Sequence, residues 1–250
     1  MLVFTLASVF LACPMHSANL DQELVQRSLP ALPPDLARQL AKHPQALRRG
    51  AQGAASYPHP LHFRGGKNAV EEAVFAQSER LVRAIRSQTS FEEVTAGFGV
   101  LAHLVLDLYF PVQGSDAVAF AAFLTSRLPR IPVVFYALGE SLPFQPREAL
   151  WRSLLTVDPQ VRGLGEALRE DFIRVGGAGN WQKLDDRSTA FGVASVTFNR
   201  ATSHYAAVAS WVWRHAGGLV TPLFRNGNGI LVWKGELKPR ETALPVLRRR

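Results

Sequence analysis

The feature that most constrains the fold is a histidine and an aspartate four residues apart in an apolar segment. Residues 101–111 read Leu-Ala-His-Leu-Val-Leu-Asp-Leu-Tyr-Phe-Pro, with the polar pair at His103 and Asp107. In a helix, positions i and i+4 share one face, so both side chains point toward the same place. Because an ionised carboxylate in apolar surroundings is costly unless it is paired, we expect either a bound metal ion or a His–Asp hydrogen bond there.

The spacing of apolar residues along the rest of the chain predicts an all-α, single-domain, multi-helix bundle over residues 19–250, with about seven to nine helices. A capping box at Thr89-Ser90-Phe91-Glu92-Glu93 begins the helix that contains the polar pair. We expect a loop over residues 50–66, irregular structure over 129–146, and a small β-hairpin near the C-terminus, with one strand in 229–235 and its partner near Leu219. The other predicted helices cover residues 19–28, 35–41, 68–88, 117–128, 148–155, 161–175 and 185–213.

The composition favours a folded protein with anionic partners. Apolar residues make up 47% of the 250 residues and charged residues 19%, which is typical of globular chains. The formal net charge of +8 favours phospholipid head groups, nucleic acid or phosphorylated substrates. Basic runs interleaved with aromatic residues are missing, so a dedicated nucleic-acid module is not indicated. The sequence also lacks a nucleophile elbow, a phosphate-binding loop and paired metal-binding cysteines.

The N-terminal residues resemble an export signal. The apolar run that ends at Ala12-Cys13 is too short to span a bilayer as a helix, but it fits the apolar core of a secretory signal over residues 1–18. Processing at Cys13 would give a lipid-anchored protein, and cleavage after Ala18 would give a freely exported one. The alternative is a buried first helix. We expect an exported protein with no membrane span in its mature chain.

Several motifs in sequence order resemble the zinc-dependent phospholipase C and single-strand nuclease superfamily. The helix with His103, Asp107 and Pro111 is similar to the pattern Leu-x-x-x-His-x-x-x-Asp-x-x-x-Pro-Leu-His of that superfamily. Upstream, Pro60-Leu61-His62-Phe63 looks like its Leu-His-Phe segment. Downstream, residues 185–195 and 211–218 are similar to the last long helix of its bacterial members.

The resemblance implies a fold, a reaction and a ligand set. Members of the superfamily use three close zinc ions to polarise a phosphodiester and to activate a bridging water. By likeness, His62, His103 and Asp107 would hold the first zinc ion, since imidazole nitrogen and carboxylate oxygen are usual zinc ligands. We therefore expect a phosphodiester hydrolase that acts on phospholipid or nucleic acid, with peripheral membrane contact.

Departures from the superfamily pattern reduce this expectation to one zinc site at most. The histidine expected two residues after Pro111 is replaced by Gln113. The histidine and the carboxylate expected four residues apart on the last helix are replaced by Asn199 and Ser203. The N-terminal tryptophan is missing, His16 lies too early, and no aspartate occurs between Asp35 and Asp107. The alternative function is therefore that of a catalytically inactive relative, an exported binding or scaffold protein.

Two further histidines are candidate substitute ligands. His59 lies three residues before His62, and His204 follows the position of Ser203. A shift by one residue on a helix turns a side chain by about 100°, so His204 would reach a metal only after a local rearrangement.

Overall fold

The computed structural model describes residues 18–57, 59–62, 69–136, 142–219 and 230–233. Within these ranges the fold is all-α, as the sequence predicted, with nine α-helices and several short 3₁₀ turns. The helices are α1 (Ala18–Ser28), α2 (Pro34–Lys42), α3 (Pro44–Ala55), α4 (Ala69–Arg86), α5 (Phe91–Tyr109), α6 (Gly114–Arg127), α7 (Arg147–Leu155), α8 (Val157–Arg174) and α9 (Thr189–His215).

Helices α5 and α9 each begin after a serine cap. The cap of α5 was predicted from the sequence, whereas the helix predicted from residue 185 begins only at Thr189. Ser90 precedes α5, and its Oγ accepts the backbone N–H of Glu93 at 3.3 Å. Ser188 precedes α9, and its Oγ accepts the N–H of Phe191 at 3.3 Å. Both hydroxyls satisfy N–H groups that have no partner within the helix. Beyond α9, Gly217 adopts a φ of 100°, a left-handed conformation that glycine adopts without strain.

Helix α5 lies at the centre of the molecule and packs against α1, α3, α4, α8 and α9. Its approach to α3 is close enough that only glycine fits at two positions. A Cβ on Gly50 would lie 1.8 Å from the carbonyl oxygen of Ala96, and a Cβ on Gly99 would lie 2.0 Å from that of Leu47. The two backbones are therefore in direct contact, which places α5 at a defined depth in the core.

The expected loop over residues 50–66 is wrong in its first part, because α3 continues to Ala55. Gly50, Ala51 and Ala54 are buried on the face of α3 that meets its neighbours. Small residues at these positions allow close helix packing, and this tertiary contact outweighs the low helix propensity of glycine.

The predicted C-terminal strand is present, but its partner differs from the one expected. Strand β2 (Ile230–Trp233) pairs antiparallel with β1 (Val133–Tyr136), with Val133 opposite Trp233 and Tyr136 opposite Ile230. The expected hairpin from Leu219 is therefore corrected to a long-range pair, and part of the segment predicted as irregular is a strand. Local sequence does not specify a partner so far away, because pairing depends on where the intervening helices return the chain.

Among the described residues, no single helix is long and apolar enough to cross a membrane. One pair meets the length and hydropathy requirement together, namely α5 with Gly114–Arg130, but it is bent by 113°. The predicted signal segment, including Cys13, lies outside the described residues up to position 17.

The contact between α3 and α5 predicts a sharp difference between two glycine substitutions on one helix. Gly50→Ala should lower the free energy of unfolding by about 2–3 kcal/mol, because the new methyl group overlaps the Ala96 backbone. Gly53→Ala is the matched control, since nothing lies within 4 Å of a Cβ there. It should leave stability unchanged or raise it by up to about 1 kcal/mol. Urea denaturation measures both, and equal effects would contradict the described contact.

Candidate metal centre

Helix α5 places His103 and Asp107 one turn apart on its buried surface. The exposed fraction of His103 is 0% and that of Asp107 is 2%. The Nε2 atom of His103 lies 3.4 Å from Oδ2 of Asp107. The shared face expected from the i, i+4 spacing is therefore present, and it points into the protein rather than toward solvent.

His62 reaches the same place from a separate segment, the 3₁₀ turn His59–His62. Its side chain is buried, and its Nδ1 lies 2.8 Å from Oδ2 of Asp107. The other ring nitrogen, Nε2, lies 3.1 Å from the backbone carbonyl oxygen of Tyr57. The rings of His62 and His103 meet edge to face, with centroids 5.2 Å apart.

A second carboxylate completes the cluster on the far side of His103. Asp21 on α1 is fully buried, and its Oδ2 lies 3.0 Å from Nδ1 of His103. The result is a continuous row in which Asp21, His103, Asp107 and His62 alternate carboxylate and imidazole. Three separate segments of the chain meet in this row.

The arrangement favours a positive charge between the side chains. The Tyr57 carbonyl only accepts, so Nε2 of His62 is the nitrogen that donates to it; likewise Nδ1 of His103 donates to Asp21. In neutral imidazoles this leaves the lone pairs of His62 Nδ1 and His103 Nε2 facing Oδ2 of Asp107. Such acceptors repel in a buried site unless extra protons or a metal ion lie between them.

The three residues expected from the sequence therefore form a buried group that can hold a metal ion. One nitrogen of each histidine and one oxygen of Asp107 all lie within 4.8 Å of one another. Protonated imidazoles that pair with the two carboxylates are the competing arrangement. The structure thus supports the grouping of His62, His103 and Asp107.

Sequence reasoning missed Asp21 and the Tyr57 carbonyl. Asp21 shares a face of α1 with Val25 and Ser28 at the i+4 and i+7 positions, and all three are buried. A carboxylate on the buried face of an amphipathic helix was the signal that could have found it. The Tyr57 carbonyl belongs to the backbone, so no residue type could have indicated it.

Asn199 and Ser203, which the sequence resemblance aligned with ligands of a second zinc ion, contact the backbone around β1. Asn199 accepts the N–H of Val134 through Oδ1 at 3.0 Å and donates from Nδ2 to the carbonyl of Pro132 at 2.9 Å. Ser203 accepts the N–H of Tyr136 through Oγ at 2.9 Å. Both side chains therefore anchor β1 to α9, and neither belongs to the metal-competent group.

The other candidate ligands lie apart from this group or outside the described side chains. Gln113 is exposed at the start of α6. The side chain of His59 and the whole of His16 are outside the described part of the chain.

His204 lies in a buried hydrogen-bonded cluster with Tyr109 and Ser153. Ser153 Oγ donates to the carbonyl of Leu150 at 2.7 Å, so at 3.4 Å it accepts from Nε2–H of His204. Nδ1 of His204 then accepts from the Tyr109 hydroxyl at 3.1 Å. Burial lowers the pKa of His204 to about 4 and raises the pKa of Tyr109 above its usual range. Both groups are therefore neutral, which suits a structural role.

Comparison with known proteins identifies no relative. No family model, no curated protein and no solved structure matches the chain.

The lowered pKa of His204 predicts a loss of stability in acid. Its pKa is about 4 in the folded chain and 6.5 for a free histidine, so the unfolded chain binds the extra proton between these limits. The free energy of unfolding should be unaffected above about pH 7 and should fall by about 3 kcal/mol as the pH drops from 6.5 to 4.

His204→Gln isolates this contribution, because glutamine can keep both hydrogen bonds without titrating. Urea denaturation of the wild type and the variant at several pH values measures the difference. Wild-type and variant curves that run parallel between pH 4 and 7 would rule out the neutral, buried state of His204.

Proposed function

We propose that the chain is a divergent, non-hydrolytic relative of the zinc-dependent phospholipase C and nuclease superfamily that binds one zinc ion through His62, His103 and Asp107. The observation that carries this proposal is the convergence of three lone-pair donors in a buried site. Each imidazole turns one nitrogen toward Asp107 and donates from its other nitrogen to an oxygen acceptor. Outward hydrogen bonds of this kind are usual for metal-binding histidines.

The donor set and the spacing suit zinc. Two imidazole nitrogens and one carboxylate oxygen favour zinc over magnesium and calcium, which prefer oxygen ligands. Zinc bonds of about 2.0–2.1 Å at tetrahedral angles place neighbouring ligand atoms about 3.3 Å apart. The separation of His103 Nε2 from Asp107 Oδ2 is 3.4 Å, and that of His62 Nδ1 from the same oxygen is 2.8 Å. The three ligand atoms together lie within 4.8 Å of one another, so the side chains would draw closer together around a bound ion.

The three ligands lie deep in the protein. His62 is 4% exposed, and the two ligands on α5 are less exposed still. When bound, zinc would supply a cross-link that joins α5 to the turn before α4.

The residues at the other expected ligand positions favour a protein without hydrolase activity. Phosphodiester hydrolysis in the superfamily that the sequence resembles relies on several close zinc ions. Here Asn199 and Ser203 are engaged with the β1 backbone, and Gln113 is exposed at the start of α6. These observations favour a binding or scaffold role, and the export signal predicted over residues 1–18 would place it outside the cell. The net charge of +8 favours an anionic partner such as a phospholipid surface.

Metal analysis together with a phosphodiesterase assay tests the proposal. The purified full chain, incubated with zinc and dialysed, should retain about one zinc ion per molecule and should not hydrolyse bis-p-nitrophenyl phosphate with or without added zinc. His103→Ala should abolish zinc retention because it removes one of three protein ligands. His43→Ala is the matched control, since His43 lies between α2 and α3, and it should retain zinc as the wild type does.

Two results would overturn parts of the proposal. A wild-type chain that retains no zinc after dialysis would leave the cluster as a protonated His–Asp network. Zinc-dependent hydrolysis that disappears in His103→Ala would instead establish a phosphodiester hydrolase with a single metal site.

A further inference from the structure

Asp21 is a buried carboxylate that no motif indicated, and it contacts a candidate metal ligand directly. It lies in the first turn of α1, which packs against α5. Its exposed fraction is 0%, and its Oδ2 lies 3.0 Å from Nδ1 of His103. A carboxylate in such a place is retained only at a cost in desolvation, which its partner must offset.

The contact determines which nitrogen of His103 is available. The two ring nitrogens point in different directions, and in a neutral imidazole only one of them carries a proton. Nδ1 donates that proton to Asp21, so Nε2 presents its lone pair toward Asp107 Oδ2, 3.4 Å away. The opposite tautomer would direct two acceptors at each other on the Asp21 side.

We propose that Asp21 is a positioning residue for the metal centre. It holds His103 in the tautomer and ring orientation that present Nε2 to the ion, and its negative charge makes that nitrogen a better electron donor. The inference rests on the proposed binding of zinc by His62, His103 and Asp107. Loss of such an outer partner typically weakens metal binding about 10–100-fold.

A purely structural role for Asp21 makes a different prediction. If the carboxylate only pairs with His103 to hold α1 on α5, its removal destabilises the metal-free and zinc-bound chains equally. The zinc dissociation constant then stays the same. If Asp21 instead positions His103, its removal weakens zinc binding itself. The rise in melting temperature that zinc produces then becomes smaller.

Substitution of Asp21 by its amide separates these two roles. In Asp21→Asn the zinc dissociation constant, measured by competition with a chromophoric chelator, should rise about 10–100-fold, and the zinc-induced rise in melting temperature should shrink. Glu23→Gln is the matched control on α1. Glu23 pairs with Arg27 at 2.7 Å, and its loss should leave the zinc dissociation constant unchanged. An unchanged constant in Asp21→Asn would overturn the inference.

A measurement on the wild type keeps the inference testable even if Asp21→Asn fails to fold. In the zinc-loaded full chain, long-range ¹H–¹⁵N correlation spectra should show His103 protonated at Nδ1 and coordinated through Nε2, with His62 coordinated through Nδ1. Coordination of His103 through Nδ1 would refute the role of Asp21. Absence of zinc from the wild type would refute the proposed function itself, so the two failures are distinguishable.

Discussion

The burial of the Asp107 carboxylate is the constraint on which the candidate site depends. Its helix is apolar on nearly every side because α5 runs through the centre of the molecule. A charged group at this depth must be neutralised nearby. His62 and His103 contact its Oδ2, and the other ring nitrogen of His103 donates to Asp21. The buried carboxylate of Asp107 thus belongs to a group of four polar side chains in the core, together with His62, His103 and Asp21.

The same cluster ties distant segments together. Asp21 belongs to α1, His103 and Asp107 to α5, and His62 to the turn before α4. Cross-links of this type are directional, whereas the surrounding apolar contacts are not. The glycine contacts between α3 and α5 define the depth of α5, and the cluster then specifies which face of α5 meets α1 and the turn. A bound cation would strengthen an arrangement that hydrogen bonds already favour.

Two polar side chains on the long helix α9 anchor strand β1. An amide at Asn199 and a hydroxyl at Ser203 satisfy backbone groups of β1. These side chains are neutral, so they pair with N–H and carbonyl groups without needing a cation. Strand β1 thereby gains partners along α9 in addition to its pairing with β2. Helix α9 therefore holds strand β1 in place through these two side chains.

Local sequence patterns were enough to predict the helical class, the cap of α5, and the placement of His103 and Asp107 on one face, since each depends on residues within a few positions of one another. The sequence also grouped His62 with that pair through the resemblance of its motifs. Only the tertiary structure decided that Asp21 pairs with His103, that the Tyr57 carbonyl orients His62, and that β1 is the partner of β2. These contacts join segments far apart in the chain. Which segments meet depends on the packing of whole helices, and no local pattern of residues encodes it.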